Sequence, residues 1–275
     1  MTTPLPRLDE RHLSAMAELC RRGLADPPSE EELAGALFAP DQPAVIRGDP
    51  DAGIVATVTW DDNGFVRLLV VDPDHRGKGH GKALLDAAEA DLREEGVSSA
   101  TVGADAPYYL FPGVETTQLA MLCLLERRKY WRTEANFNMD VDLDRIPPDP
   151  GGAAPARADE RDEVSLWMAE HWAMWRPEVL RALDKGTLLL SRDDDGISAF
   201  CAYDVNRRGL LGPVAVRPSL MGRGAGVPAL IGALHRMGES GQRQIEVAWV
   251  GPVVPYARVG GTVGRVFFVY KKGLS

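Results

Sequence analysis

The stretch Leu69-Val70-Val71-Asp72-Pro73-Asp74-His75-Arg76-Gly77-Lys78-Gly79-His80-Gly81-Lys82 decides the fold. An apolar, β-branched run ends at Val71, and an amphipathic segment with Ala83, Leu84, Ala87, Ala88 and Leu92 on one face begins a few residues later, so the stretch is a strand, a loop and the start of a helix. Alternating glycines let backbone N–H groups approach a ligand without a Cβ in the way, and a helix start adds unpaired amides and the positive end of its dipole. Arg76, Lys78 and Lys82 add positive charge. The chemistry that fits is a phosphate or diphosphate. Two better-known phosphate loops are excluded. A Walker loop needs Gly where Arg76 stands and Ser or Thr where Ala83 stands, and the dinucleotide fingerprint needs a glycine where Lys82 stands.

Working outward, the region recurs. Residues 71–96 align with 216–241 at a constant offset of 145, and nine of the 26 positions are identical. The three loop glycines are among them: Gly77, Gly79 and Gly81 match Gly222, Gly224 and Gly226. A period this long is domain-sized, well beyond the roughly 20–50 residues of solenoid repeats. The chain therefore reads as two copies of one domain, 1–146 and 158–275, joined by a Pro- and Gly-rich linker, 147–157.

Each copy reads as α+β, with helices leading into a hairpin and then the strand–loop–helix unit. In the first, helices are expected over 9–22 and after Ser29, where Glu32 three residues on completes a capping box. Strands 54–60 and 65–71 flank a turn in which Asn63-Gly64 supplies positive φ. Helix 79–95, strand 99–103, helix 117–128 and strand 135–143 complete the copy. In the second, helix 159–172 precedes strands 187–191, 197–203 and 210–216, followed by helix 224–240 and strands 244–250 and 263–271.

The formal charge of −9 is a poor match to a nucleic acid or an anionic membrane, so neither is expected as a partner. Cys20, Cys123 and Cys201 are odd in number and scattered, which indicates neither a disulfide framework nor a thiolate metal site. The histidines have no metal spacing, and no metal is expected. No apolar run is long enough to span a bilayer, and residues 1–14 lack a signal-peptide pattern. A cytoplasmic protein is expected.

The motif Leu69 to Pro73 followed by Arg76-Gly77-Lys78-Gly79-His80-Gly81 resembles that of the GCN5-related N-acetyltransferase (GNAT) superfamily. The resemblance extends over nearly the whole chain as a tandem pair. It implies two GNAT-like domains, each a mixed, mostly antiparallel sheet flanked by helices, with acetyl-CoA as acyl donor and a small-molecule amine as acceptor. The cofactor-binding residues it implies are Leu69, Val70, Val71, Arg76, Gly77, Lys78, Gly79, His80, Gly81 and Lys82 in the first copy. In the second they are Val214, Ala215, Val216, Gly222, Arg223, Gly224, Ala225 and Gly226.

The family's usual proton donor for the departing thiolate is a tyrosine four residues before a glycine. Tyr256 and Gly260 have that spacing, whereas the first copy has Leu125 and Lys129. A tyrosine of pKa ~10 protonating a thiolate of pKa ~8.5 faces only about 2 kcal/mol. Glu246, on the strand after the second copy's helix, is the candidate base; the matching Thr101 to Ala104 has no ionisable side chain. The defects are complementary, because Met221 replaces Arg76 in the second loop. The sequence thus favours catalysis in the second copy, with catalysis in the first copy and a non-catalytic acyl-CoA sensor as alternatives. Acceptor identity and oligomeric state are not legible in it.

Overall fold

The computed structural model describes residues 5–274. In chain order its strands and α-helices are β1 (Arg7–Leu8), α1 (Leu13–Gly23), α2 (Glu30–Leu37), β2 (Val45–Asp49), β3 (Gly53–Trp60), β4 (Asn63–Val71), α3 (His80–Glu94), β5 (Ser99–Val102), β6 (Val114–Glu115), α4 (Leu119–Arg127) and β7 (Trp131–Asp142). There follow β8 (Ala153–Pro155), α5 (Arg161–His171), α6 (Arg176–Lys185), β9 (Leu188–Asp193), β10 (Gly196–Tyr203), β11 (Leu210–Val216), α7 (Val227–Glu239), β12 (Gln244–Val247), α8 (Val253–Ala257) and β13 (Thr262–Gly273). They form two compact units, Met1–Asn136 with Val266–Ser275, and Phe137–Arg265.

In the N-terminal unit β1, β2, β3 and β4 pair antiparallel in sequence, β4 pairs parallel with β5, and the 266–273 part of β13 closes the sheet antiparallel against β5. Helices α1 and α2 cover one face, placing Met16, Leu19, Leu33 and Leu37 against Ile54, Leu68 and Val70. Helix α3 covers the other, placing Leu84, Leu85, Ala88 and Leu92 against Val55, Val102 and Tyr270. A strand buried on both faces is apolar along nearly its whole length, as Ile54 to Val58 is, with Thr57 the one polar residue, its hydroxyl donating to the Val45 carbonyl.

The C-terminal unit repeats the plan. Strands β8, β9, β10 and β11 pair antiparallel, β11 pairs parallel with β12, and the 137–142 part of β7 closes the sheet against β12. Helix α7 packs Leu230, Ala233, Leu234 and Met237 on one face, against Val141, Ile245 and Val247. Helices α5 and α6 pack Val164, Met168, Val179 and Leu183 on the other, against Leu190, Ile197 and Phe200.

The closing strands depart from the boundaries read in the sequence. Strand 135–143 was expected to complete the first copy and 263–271 the second; instead each contributes its pairing residues to the other unit's sheet. Both strands carry apolar residues at alternate positions, Met139 and Val141 in one, Phe267 and Val269 in the other. Local patterning therefore fixes which face each strand buries but not whose sheet it joins. Part of the expected linker is also structured, since Ala153–Pro155 pairs with β9.

The capping box forms as expected: the Ser29 hydroxyl accepts from the Glu32 amide at 3.2 Å, and the Glu32 carboxylate accepts from the Ser29 amide at 2.7 Å. The hairpin turn differs. Positive φ falls on Asp61 (48°), while Asn63 and Gly64 lie in β4. Gly64 is required by crowding, because a Cβ there would meet Leu92 Cδ2 and Val97 Cγ2 at 2.8 Å each. Strand β2 and helix α6 were not legible in the sequence pattern. No helix among the described residues is long and apolar enough to cross a membrane.

Candidate functional site

In the N-terminal unit β4 and β5 pair only over Gly64 to Val66 against Ala100 to Val102. Strand β4 then continues to Val71, whereas β5 ends at Val102. The free stretch of β4 leads into the glycine loop. Asp72 opens the loop, accepting from the Asp74 amide at 2.9 Å and from Arg22 Nε at 2.7 Å. Gly77 (φ 74°) and Gly79 (φ 91°) take left-handed conformations that place Gly79 as the N-cap of α3. A Cβ on either would touch nothing within 4 Å, so the backbone angle, not crowding, demands glycine. Gly81 has a different reason, since its Cβ would press on Leu124 Cδ2 of α4 at 2.9 Å.

Between this loop and α4 lies a cavity of about 880 Å³. One wall is Leu69, Val70, Val71 and the loop residues Arg76, Gly77, Gly79, Gly81 and Lys82. The opposite wall comes from Thr117 to Met121 and from Cys123, Leu124, Arg127 and Arg128, and the end of α1 closes the side. Its charged lining is wholly cationic: Arg76, Lys82, Arg127 and Arg128. Arg76 is anchored, with Nε donating to the Val71 carbonyl at 3.2 Å and Nη2 to the Gly23 carbonyl at 2.7 Å. Lys82 Nζ sits 2.9 Å from Asp86, which also pairs with Arg128. First-turn amides of a helix have no intrahelical acceptor, so the start of α3 offers N–H donors beside these cations. Lys78 and His80, expected here, do not line the cavity.

A second cavity of about 60 Å³ adjoins the first, sharing Leu24, Leu69, Gln118 and Met121 with it. It lies where β4 and β5 separate, and Val66, Val102, Phe111 and Phe267 give it an apolar lining. Arg67, Glu115 and Gln118 are its polar groups. The Arg67 side chain is fully buried and pairs with Asp105, itself 2% exposed; Arg67 also donates to Gln42 and to the Ala36 carbonyl. No pattern in the sequence marked Arg67, Asp105 or Glu115: Arg67 sits in β4 among apolar residues, and the segment 103–118 has no regular period.

The C-terminal loop keeps the same backbone, with Gly222 at φ 75° and Gly224 at φ 80°. Its surroundings differ. Helix α7 starts at Val227, two aligned positions later than α3, and the Val227 amide is spent on the Gly224 carbonyl at 3.0 Å. Pro228, in the first turn, has no amide hydrogen to offer. The Trp172 indole Nε1 donates to the Val216 carbonyl at 3.0 Å, the bond that Arg76 makes to Val71 in the other unit. Trp172 stands at the C-cap of α5 as Leu24 does at that of α1, and it stacks on Trp175 with centroids 5.2 Å apart. Ala215 is buried under α5 and α6, and Val214 packs against the α7 face.

Tyr256, the donor expected from sequence, is 8% exposed and belongs to the hydrophobic core with Met139, Cys201 and Val259. Burial drives its phenol pKa well above the ordinary tyrosine value, with the nearby Cys201 adding to the shift. Leu125 occupies the matching place in the first unit, fully buried. Both residues end a helix identically: the amides of Tyr130 and Gly261 reach back to the Leu125 and Tyr256 carbonyls at 3.0 and 2.9 Å. Lys129 (φ 64°) takes the left-handed position that Gly260 (φ 85°) fills in the second unit. Glu246, the expected base, accepts from Asn138 Nδ2 at 2.5 Å and pairs with Arg265 at 2.9 Å. Desolvation, reinforced by Glu246, raises the pKa of neighbouring Asp140.

Residues 15–108 match the model of the Acetyltransferase (GNAT) family. A search of curated protein sequences finds no match. Among solved structures, a GCN5-related glucosamine N-acetyltransferase region of a fungal multi-domain GH3 β-N-acetylglucosaminidase superposes with a TM-score of 0.78 at 20% identity, over 98% of this chain and 38% of that one. The GCN5-related N-acetyltransferase from Sphaerobacter thermophilus gives 0.70 at 19% identity, over 98% of this chain and 95% of that one. A tandem GNAT protein from the clavulanic acid biosynthesis pathway gives 0.69 at 16% identity, over 98% of both. The chain is thus a tandem GNAT-fold protein whose N-terminal unit carries the family's sequence signature. The fold supports acyl transfer in general.

Proposed function

We propose that the N-terminal unit binds acetyl-CoA and transfers its acetyl group to a small-molecule amine. The observation that carries this reading is the 880 Å³ cavity, whose charged lining is cationic and whose floor is the glycine loop at the start of α3. Loop and first-turn amides, with Arg76 and Lys82, suit a diphosphate, while Leu69 to Val71 and α4 suit the apolar arm that follows it. The thioester then lies where the two cavities meet. In the transfer, the amine nitrogen bonds to the thioester carbon and the carbon–sulfur bond breaks with its electron pair on sulfur. An acceptor arriving as its ammonium form first sheds one proton to solvent; the neutral amine then gives up one further proton, which ends on the thiolate, and the amide nitrogen keeps its remaining hydrogen. Backbone N–H groups of β4 beyond Val66 that face away from β3, where β5 no longer pairs, are the donors nearest the developing oxyanion.

A second reading is favoured by one observation: the position expected to hold the thiolate's proton donor is Leu125, which carries no proton to give. Under it the unit binds acyl-CoA as a sensor without transfer. Titration calorimetry with coenzyme A, paired with assays for free thiol released from acetyl-CoA in the presence of amines, separates the readings. Amino sugars head the acceptor panel, because the fungal region of like fold is described as a glucosamine N-acetyltransferase. Heat together with amine-dependent thiol release supports the transferase. Heat without release supports the sensor, and no heat at millimolar coenzyme A overturns both.

A further inference from the structure

Strand β4 carries one residue too many at the point where its pairing with β5 stops. Against β3, Leu68 lies opposite Ala56 and Val66 opposite Thr57, so Arg67 is an inserted residue, a β-bulge. Val66 is also the last β4 residue paired with β5, opposite Val102. On the other strand the chain turns out of the sheet at once, because Gly103 (φ 88°) and Ala104 (φ 56°) both take left-handed angles. The two strands part there, beside the small cavity.

A buried ion pair bridges the gap. The Arg67 guanidinium, carried by the bulge, pairs with Asp105, the residue that follows the left-handed turn: Nε donates to Oδ2, and Nη2 to Oδ1 at 3.3 Å. The same guanidinium donates from Nη1 to the Ala36 carbonyl at 2.6 Å and from Nη2 to Gln42 Oε1, which ties both strands to helix α2 and the connection after it. Tyr108 lies against it, with the ring centroid 5.6 Å from the guanidinium carbon and the hydroxyl donating to Asp41. The guanidinium is thus spent on protein acceptors, and neither buried side chain is placed to touch a ligand.

Taking a charged pair out of water costs free energy, and apolar side chains of like volume would fill this space without that cost. What the pair supplies is direction, because a planar guanidinium held by several acceptors sets the separation of two backbones more narrowly than apolar contact does. Resting on the transferase reading, we infer that the Arg67–Asp105 pair fixes the opening between β4 and β5 in which the thioester carbonyl meets its backbone donors, so that both are positioning residues for the transfer. They act through the β4 backbone on the polarisation of that carbonyl. Coenzyme A affinity rests instead on the glycine loop and its cations, which begin beyond Val71.

The test uses the full chain with Asp105→Ala and with Asp105→Asn, which keeps an oxygen acceptor but no charge. Ile46→Ala, a core substitution elsewhere in the unit, is the control for lost stability. The probe is acetonyl-coenzyme A labelled with carbon-13 at the carbonyl, a ketone analogue from which nothing can be transferred. Its binding is followed by calorimetry and its carbonyl stretch by infrared difference spectroscopy, below the melting transition of each variant. On the wild type the stretch is expected to move to lower frequency. Asp105→Ala should lose most of that shift and Asp105→Asn part of it, with affinity within about twofold and stoichiometry unchanged, while Ile46→Ala keeps the shift in full. For any amine that is turned over, kcat should fall about tenfold to a hundredfold in Asp105→Ala with KM for acetyl-CoA within about twofold. Should Asp105→Ala fail to fold, Asp105→Asn carries the comparison. A shift retained in both substitutions of Asp105, or absent from a wild type that binds the analogue, overturns the inference. Absence of coenzyme A binding by the wild type instead removes the transferase reading and the inference with it.

Discussion

The Trp172 indole donates to the Val216 carbonyl at 3.0 Å, at the end of a strand whose counterpart in the other unit ends in a Val71 carbonyl bonded by Arg76. Aligned position 76 is Met221 in the second copy, so the donor has moved from the loop to the end of helix α5. An arginine bonded there keeps a positive charge beside the groove. An indole brings bulk and no charge.

From this difference one coenzyme A per chain is expected. The matched pair Gly79→Ala and Gly224→Ala tests it, because both glycines have strongly positive φ and open space around a would-be Cβ. Each substitution should destabilise its loop by about 1–2 kcal/mol. Only Gly79→Ala should also weaken coenzyme A binding, by tenfold or more. Calorimetry showing two sites, or equal losses in both variants, would contradict the assignment.

Tyr256→Phe is expected to leave kcat/KM and its pH profile unchanged, since Tyr256 sits in the hydrophobic core where Leu125 sits in the other unit. A tenfold fall would return catalysis to the C-terminal unit.

Asp105 and Arg67 form a buried pair beside the small cavity. Asp105→Ala strands the guanidinium without its counter-charge and should cost about 3–5 kcal/mol in chemical denaturation. Replacing an exposed partner such as Asp159, paired with Arg157 at 3.0 Å, should cost under about 1 kcal/mol.

Glu178 is buried in the C-terminal unit, and desolvation raises its pKa from 4.5 to about 8, with Arg181 partly opposing. Between those values the folded chain holds a proton that the unfolded chain has released. Stability from this group is therefore full below pH 4.5 and is lost as pH rises through 8. At its steepest the loss is about 1.4 kcal/mol per pH unit. Urea midpoints of the wild type should fall from pH 5 to pH 8 relative to those of Glu178→Gln. Parallel pH profiles would show that Glu178 is not protonated in the fold.

Much of the architecture was legible because its signals are local. The apolar runs at 54–60 and 65–71, the Ser29–Glu32 box and the helix after Gly79 each fix their own structure within a few residues. The turn was misplaced because Gly64 serves packing under Leu92 and Val97, a requirement that sequence spacing does not express. Within the candidate site the glycine loop, Arg76 and Lys82 were legible. Gln118, Met121 and Glu115 were not, since a cavity lining gathers residues that have no shared period.

By itself the sequence determined that the domain is duplicated and that three glycines recur in the loop of each copy, because a repeat is written residue by residue. Only the tertiary structure decided which sheet each closing strand completes, and that Trp172 rather than Met221 meets the second strand's last carbonyl. The physical reason is that alternation specifies a buried face without specifying a partner, and a hydrogen-bond acceptor takes whichever donor packing brings within reach.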